Sequence, residues 1–389
     1  MPAYGIVAEF NPFHNGHKRI IDEARGIGAS EIVIAMSGNS VQRGEISILD
    51  KYTRAEAAVK CGADLVVELP FPWCSASAEY FAKSGIYVLS NFCDNVIFGS
   101  ECGDINLLTN AAQVVISEEF VAEYKDRLSG GEGSAKAYFS MLEERGFGGL
   151  SSNDLLGIEY IKAAQLLCVP IKFHTVKREG TAYNSNTLEN VTCPSATALR
   201  TLWKQGKYEC EQYIPSVALD VFKDAIEKGK IVDEDILSRI VLTYLRLAFD
   251  DDFLNVAEAD GGLVNRIYAL ARSSNNTEEL LKALKTKRYT DAKLRRTVLF
   301  CVAQVTTELL KSLPLYTTLL AADKFGRDIL SKIRKKEKAI EIVTKPADTP
   351  TDNLQFKAQE RIESIFAASL KCPTSLEDTY RKKAFICNL

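Results

Sequence analysis

Cysteine pairs, long apolar runs, repeats and an excess of one charge are all missing from this chain. Its 10 cysteines stand singly from Cys61 to Cys387, with no Cys-x-x-Cys pair and no histidine partner nearby. That spacing argues against a zinc site or a redox pair, leaves no protein metal site to expect, and suits small buried apolar residues. No stretch approaches about 18 consecutive apolar residues, and the N-terminus enters a strand without a basic segment and an apolar one before it. Neither a membrane span nor a leader is therefore expected, and a reducing cytoplasm is the expected location. A net charge of −3 offers no global attraction to nucleic acid, so any contact with RNA has to come from local basic patches.

What is present is an ordinary globular composition, 46% hydrophobic and 25% charged over 389 residues, which excludes disorder and leaves room for two or three domains. Short apolar runs at Tyr4–Ala8, Glu31–Met36, Asp64–Leu69 and Asn95–Phe98 alternate with helical patterns over Gly16–Arg25, Lys51–Cys61 and Ser77–Leu89. This alternation predicts βαβ units and a parallel Rossmann-like sheet. Helical periodicity then runs from Asp104 to about Arg145, broken at Gly130–Gly133, and resumes after Ser151-Ser152-Asn153-Asp154. A fifth strand is expected at Pro170–Val176, and a further helix after Pro194-Ser195, ending near Gly206. From about Val217 the periodicity is almost wholly helical, as in Ile236, Ile240, Val241, Tyr244 and Leu245. The expected division is an α/β nucleotide-binding domain over 1–210, carrying a helical insertion at about 104–168, and an all-helical C-terminal domain over 211–389.

The first strand hands over to the first helix through Glu9-Phe-Asn-Pro-Phe-His14-Asn-Gly16-His17. A His-x-Gly-His segment at such a junction can set two imidazole donors and free helix N-terminal amides on one face, where a triphosphate collects both hydrogen bonds and partial positive charge. A histidine pair alone can be a satisfied structural feature. The turn before it and the helix after it favour the phosphate site.

Ligands of parallel sheets bind beyond the carboxyl ends of the strands, and other polar residues gather there. After the second strand, Gln42 and Arg43 in Ser37–Glu45 suit a small anion, although an ordinary surface connection explains the loop as well. Gly99 ends the fourth strand and permits an adenine or ribose close to the backbone, with a tight turn as the rival. Asn153 caps a helix or reads a base, and Arg178 is a solvated cation or a phosphate contact. Ser195, Thr197 and Arg200 open a helix as a second anion cradle suited to pyrophosphate. Two basic segments follow, Lys282–Arg296 with Lys287, Arg288, Tyr289, Arg295 and Arg296, and Lys324–Lys338 with Arg327. One such face is usually just solvated, whereas two together suit an RNA backbone, with Tyr289 able to stack on a base.

These segments, with Gly62-Ala-Asp-Leu-Val-Val-Glu-Leu-Pro70, Phe98-Gly-Ser-Glu101, Leu156-Gly-Ile-Glu-Tyr160 and Lys287-Arg-Tyr-Thr290, resemble the bacterial tRNA(Met) cytidine acetate ligase family. The His-x-Gly-His element alone is similar to that of the wider nucleotidylyltransferase and class I aminoacyl-tRNA synthetase superfamily. The resemblance implies an enzyme that uses ATP and acetate to acetylate N4 of the wobble cytidine of elongator tRNA(Met), releasing AMP and pyrophosphate; the phosphate chemistry of that reaction in turn suggests Mg²⁺ bridging phosphate oxygens. It implies that ATP contacts fall on Ile6, Val7, Ala8, Glu9, Phe10, Asn11, Pro12, Phe13, His14, Asn15, Gly16, His17, Lys18 and Arg19, then on Gly99, Asn153 and Arg178. The chain has Ser152-Asn153-Asp154 where the family commonly has Pro-Asn-Asn, so either Asn153 or Asp154 takes the nucleotide. A small-molecule nucleotidylyltransferase and a non-catalytic nucleotide-dependent RNA-binding protein are the other readings; the first gives no reason for the basic segments, and the second has no use for both His14 and His17.

Overall fold

A computed structural model describes residues 2–178, 196–208, 210–248, 255–259, 262–333 and 339–387. The strands are β1 (Ala3–Ala8), β2 (Glu31–Ser37), β3 (Ser40–Val41), β4 (Glu45–Ile46), β5 (Leu65–Leu69), β6 (Asn95–Ser100), β7 (Lys172–Lys177), β8 (Tyr316–Ala322), β9 (Glu341–Val343) and β10 (Phe385–Ile386). The helices of the first half are α1 (Asn15–Gly26), α2 (Lys51–Lys60), α3 (Ala78–Leu89), α4 (Ile105–Ile116), α5 (Glu118–Ser129), α6 (Ser134–Glu144), α7 (Ser152–Leu166) and α8 (Ala196–Lys204). Those of the second are α9 (Ser216–Glu227), α10 (Glu234–Leu247), α11 (Leu263–Ala271), α12 (Thr277–Leu284), α13 (Asp291–Ala303), α14 (Thr307–Lys311), α15 (Lys324–Ile333), α16 (Leu354–Ala368) and α17 (Leu376–Arg381).

Eight strands join in the order β10-β8-β5-β2-β1-β6-β7, with β9 beside β8. The run from β5 to β7 is parallel throughout. Strand order reverses between β1 and β6, so a ligand crevice is expected beyond their carboxyl ends. Successive side chains of β2 point to opposite faces: Ile32, Ile34 and Met36 join α1, α2, α8 and α9 in one core, whereas Val33 and Ala35 join α3, α4, α7 and the later helices in the other. Burial on both faces is why these strands read as continuous apolar runs.

The second half is helix-rich, as expected, but not all-helical. β8 is buried at every residue and lies antiparallel to β5, at the end of the parallel run. Its Tyr-Thr-Thr-Leu-Leu-Ala-Ala sequence hides the strand, because a short segment covered on both sides shows no alternation. Nor does a 210/211 boundary separate two cores. Phe222 of α9 packs with Trp203 and Tyr213 against the β1 and β2 side chains, and α10 to α16 pack on the opposite face. The second half buries its apolar faces on the first half's sheet.

Candidate active site

β1 ends at Ala8, and the segment to His14 turns the chain into α1 with the buried rings of Phe10 and Phe13 pointing inward. His14 is the N-cap of α1: its Nδ1 accepts the Gly16 N–H at 3.0 Å, and His17 Nδ1 accepts the His14 N–H at 3.2 Å. This is a capping box built from two histidines. The rings stack, with centroids 3.7 Å apart, and the Phe10 ring meets the edge of His17. Burial drives the His14 pKa down to about 3, with the Arg178 and Arg200 charges adding to it. Burial, His14 and Arg178 likewise hold His17 well below the ordinary value. Both imidazoles are therefore neutral near pH 7. With each Nδ1 accepting, each hydrogen sits on Nε2, so the pair presents two N–H donors.

The free helix amides expected here are absent. Asn15 N donates to Tyr213 O at 2.9 Å, Gly16 N to the His14 ring, and His17 N and Lys18 N to His14 O at 2.9 and 3.1 Å. The first turn is satisfied internally because α9's leading loop supplies a carbonyl that sequence order does not reveal. What remains for an anion is the imidazole pair and the helix dipole.

A hairpin of β3 and β4 closes over this point. Gln42 N donates to Glu9 Oε1 at 3.0 Å, and Gln42 and Arg43 stay half-exposed. Gly44, with φ +73°, rests directly on the Arg296 backbone, where a β-carbon would collide. Arg200 is almost buried and braces the segment: Nη1 donates to Asn11 O at 2.9 Å, and Nη2 reaches Glu45 Oε2 and Thr197 Oγ1, both at 3.2 Å. Of the expected pyrophosphate cradle, then, Arg200 is committed to the protein, Thr197 is half-exposed beside it, and Ser195 lies outside the described residues.

Across the switch point, the aliphatic part of Arg178 covers Gly99, 3.3 Å from where a β-carbon would stand. Gly99 thus makes room for a protein side chain. Arg178 also lies 3.6 Å from Glu101, whose carboxylate takes the Asn153 amide at 2.6 Å and the Ser151 hydroxyl. Asp154 is buried and takes Ser100 Oγ, Cys102 N and Ser151 N, with the single Ser151 hydroxyl hydrogen lying between it and Glu101. Burial works to raise its pKa, and those hydrogen bonds outweigh burial and lower it. Asn153 is half-exposed; of the two candidates it is the one with surface to offer a nucleotide.

The HIGH nucleotidyl transferase family model matches residues 1–380. The tRNA(Met) cytidine acetate ligase of Caldanaerobacter subterraneus subsp. tengcongensis is 34% identical over 386 residues, 95% of this chain and 93% of the relative. That of Clostridium perfringens is 33% identical over 90% of this chain and 91% of its own length. The chain belongs to the tRNA(Met) cytidine acetate ligase family. The crystal structure of Thermotoga maritima TmcAL bound with alpha-thio ATP matches it with a TM-score of 0.88 at 29% identity, over 100% of both chains.

The basic residues expected to meet tRNA divide within this ligase-family fold. Lys287 and Arg288 are exposed on the turn before α13, and Arg288 and Lys293 flank the Tyr289 ring at 5.5 and 5.2 Å. Arg295 pairs with Glu45 at 3.3 Å. Arg296 is a correction: its guanidinium is mostly buried and held by Glu258 at 2.7 Å, and Glu258 also takes the Ser77 N–H before α3, so this cation joins elements inside the protein. Arg327 is another. α15 follows β8 to the amino edge of the sheet, where Asp323 N donates to Asp64 O and Lys332 approaches Glu31. Arg327 is exposed there, a strand length from the histidines. Residues 334–338 of that segment lie outside the described residues.

One functional residue escaped the sequence reading. Arg54, fully buried on α2, donates to Leu49 O at 3.0 Å, Glu9 O at 2.5 Å, Ser37 O at 3.1 Å and Gly38 O, tying the ends of β1 and β2 together. The available signal was a cation amid the buried alanines 55, 57 and 58. Among the described residues no group of three or more His, Cys, Asp or Glu is placed to hold a metal, and no helix is long and apolar enough to cross a membrane.

Proposed function

We propose that this chain activates acetate with ATP as acetyl-adenylate and transfers the acetyl group to N4 of the wobble cytidine of elongator tRNA(Met), releasing AMP and pyrophosphate. The observation that carries the reading is the neutral histidine pair with both Nε2–H groups presented at the carboxyl edge, in a chain whose relatives are named for that ligase activity. Acetate is already ionised at neutral pH and needs no base. As it attacks the α-phosphorus in line, charge moves onto the phosphoryl and leaving oxygens. His14 and His17 stabilise that charge by hydrogen bonding, without acting as nucleophiles. Arg200 supplies a fixed positive charge behind His14, and Thr197 a hydroxyl for the departing pyrophosphate.

Gly99, Asn153 and Arg178 form the nucleoside side of the same reading, and residues 6–19 the phosphate side. Mg²⁺ suits the oxygens of ATP itself, since the described protein groups form no cage for it. Gln42 and Arg43 suit the acetate or the α-phosphate. For the tRNA, the favoured face is Lys287, Arg288, Tyr289 and Arg295, because β4 and α13 hold it next to the pocket. A tRNA substrate suits a cytoplasmic enzyme.

The test is to incubate the protein with ATP, labelled acetate and bulk tRNA, then digest the RNA. Label in N4-acetylcytidine supports the reading. Acetate-independent nucleotidyl transfer to a small phosphorylated metabolite, with no label in RNA, would replace it by a nucleotidylyltransferase.

A further inference from the structure

Acyl transfer to a cytidine poses a problem that acetate activation does not. The exocyclic amine is a poor base, and as its nitrogen attacks the activated carbonyl it must shed a proton. The acceptor has to stand at the carboxyl edge with an atom that no donor of the protein already holds. Both histidines are unsuited, since each Nδ1 already accepts a backbone N–H and each Nε2 carries hydrogen. Glu45 has one oxygen on Arg200 and the other on Arg295. Glu101 has one on Asn153 and the other on Ser151. Asp154 has one oxygen on Ser100 Oγ and Cys102 N and the other on Ser151 N.

Glu9 differs from all of these. It follows β1 directly, its Oε1 accepts the Gln42 N–H at 3.0 Å, and among the described residues no donor reaches its Oε2. Arg54 grips its carbonyl at 2.5 Å, so the backbone under the carboxylate is fixed. The residue is set deep yet keeps part of its surface open. On the reading proposed above, we infer that Glu9 is the general base of the transfer step.

The bookkeeping closes with these groups alone. The cytidine N4 lone pair forms the bond to the acetyl carbon, the bond from that carbon to the AMP oxygen breaks with its electron pair, and the N4 proton passes to Glu9 Oε2. Burial raises the Glu9 pKa; Arg200 from α8, the Gln42 N–H and Arg43 from the hairpin pull it down, and Glu45 from β4 pushes it up. A carboxylate of raised pKa is a stronger proton acceptor than an exposed one, which is what the step needs.

The test separates the two half-reactions. Transfer to tRNA is measured in a single turnover from synthetic acetyl-adenylate, and adenylate formation by acetate-dependent exchange of labelled pyrophosphate into ATP. Glu9→Gln is expected to slow transfer from saturating acetyl-adenylate by roughly 10²-fold or more; because Glu9 also lies in the proposed ATP-contacting segment, exchange is compared at saturating ATP, where a binding role raises KM for ATP and leaves the exchange rate close to that of the wild type. The wild-type transfer rate falls as pH drops through the Glu9 pKa, and this limb vanishes in E9Q. Formate added to Glu9→Ala restores part of the transfer rate. An equal loss in both half-reactions, or a wild-type pH limb retained in E9Q, overturns the proposal. Absence of acetate-dependent exchange in the wild-type protein sinks the function proposed above and leaves this inference without a reaction.

Discussion

The segment Lys282–Arg296 leans on the carboxyl edge of the sheet, where Gly44 rests on the α13 backbone and Glu45 takes Arg295. The segment beginning at Lys324 leans on the amino edge, where Gly326 rests on the Asp64 carbonyl and Lys332 approaches Glu31. Equal in number of basic residues, they are unequal in reach. Among the described residues the first alone adjoins the hairpin at the histidine pocket, and even there Arg296 is spent on Glu258. The contrast teaches that a basic segment counts by the strand end it is anchored to. Chemistry is expected to concentrate at one edge, and support at the other.

The hardest test of that division is Arg54→Met at the carboxyl edge. It orphans several buried carbonyls at about 1–3 kcal/mol each, so a loss of at least ~3 kcal/mol is expected in urea unfolding. A change under about 0.5 kcal/mol would show that the edge needs no brace. Next is His17→Ala, expected to cut acetate-dependent pyrophosphate exchange by about 10²–10³-fold with the fold retained by circular dichroism. Wild-type exchange would remove the histidines from the mechanism.

Acidity probes the same pair. Because burial depresses the His14 pKa to about 3, the unfolded chain binds a proton as pH falls below the ordinary histidine value of about 6.5 while the folded chain does not. Stability is therefore whole above that value and is lost progressively down to the folded pKa. Denaturant titrations across this window are expected to show a shallower slope for His14→Asn; identical slopes would contradict the buried neutral state.

Charge removal then contrasts the two edges. Lys287→Ala with Arg288→Ala is expected to reduce the dependence of log affinity for tRNA on log salt by about 1 to 2, leaving exchange intact. Arg327→Ala is expected to change neither tRNA affinity nor exchange. An Arg327 effect as large as that of the double variant would mean the RNA wraps both ends.

Much of this was legible in residue order. Strands β1, β2, β5, β6 and β7 fall within one or two residues of their expected runs, most clearly where the parallel sheet is covered on both faces and demands apolar residues, whereas the short β3–β4 hairpin reads as a loop. The His-x-Gly-His junction was legible for a different reason: glycine, proline and a histidine N-cap restrict the backbone locally. β8 was not, since its burial depends on a partner, β5, some 250 positions away. Arg54 was missed likewise, because a guanidinium among alanines gains its meaning from four carbonyls, three of them on other elements.

Local order thus dictates where each strand turns into a helix and which residues stand at the turn, since backbone preference and burial period act over a few positions. Which donors stay open there is settled only in the folded chain. Asn15's amide is closed by Tyr213, Arg200 is taken up by Asn11 and Glu45, and among the described residues Glu9 keeps an oxygen without a donor. Hydrogen-bonding capacity belongs to a residue, but its availability depends on neighbours that long-range packing brings up.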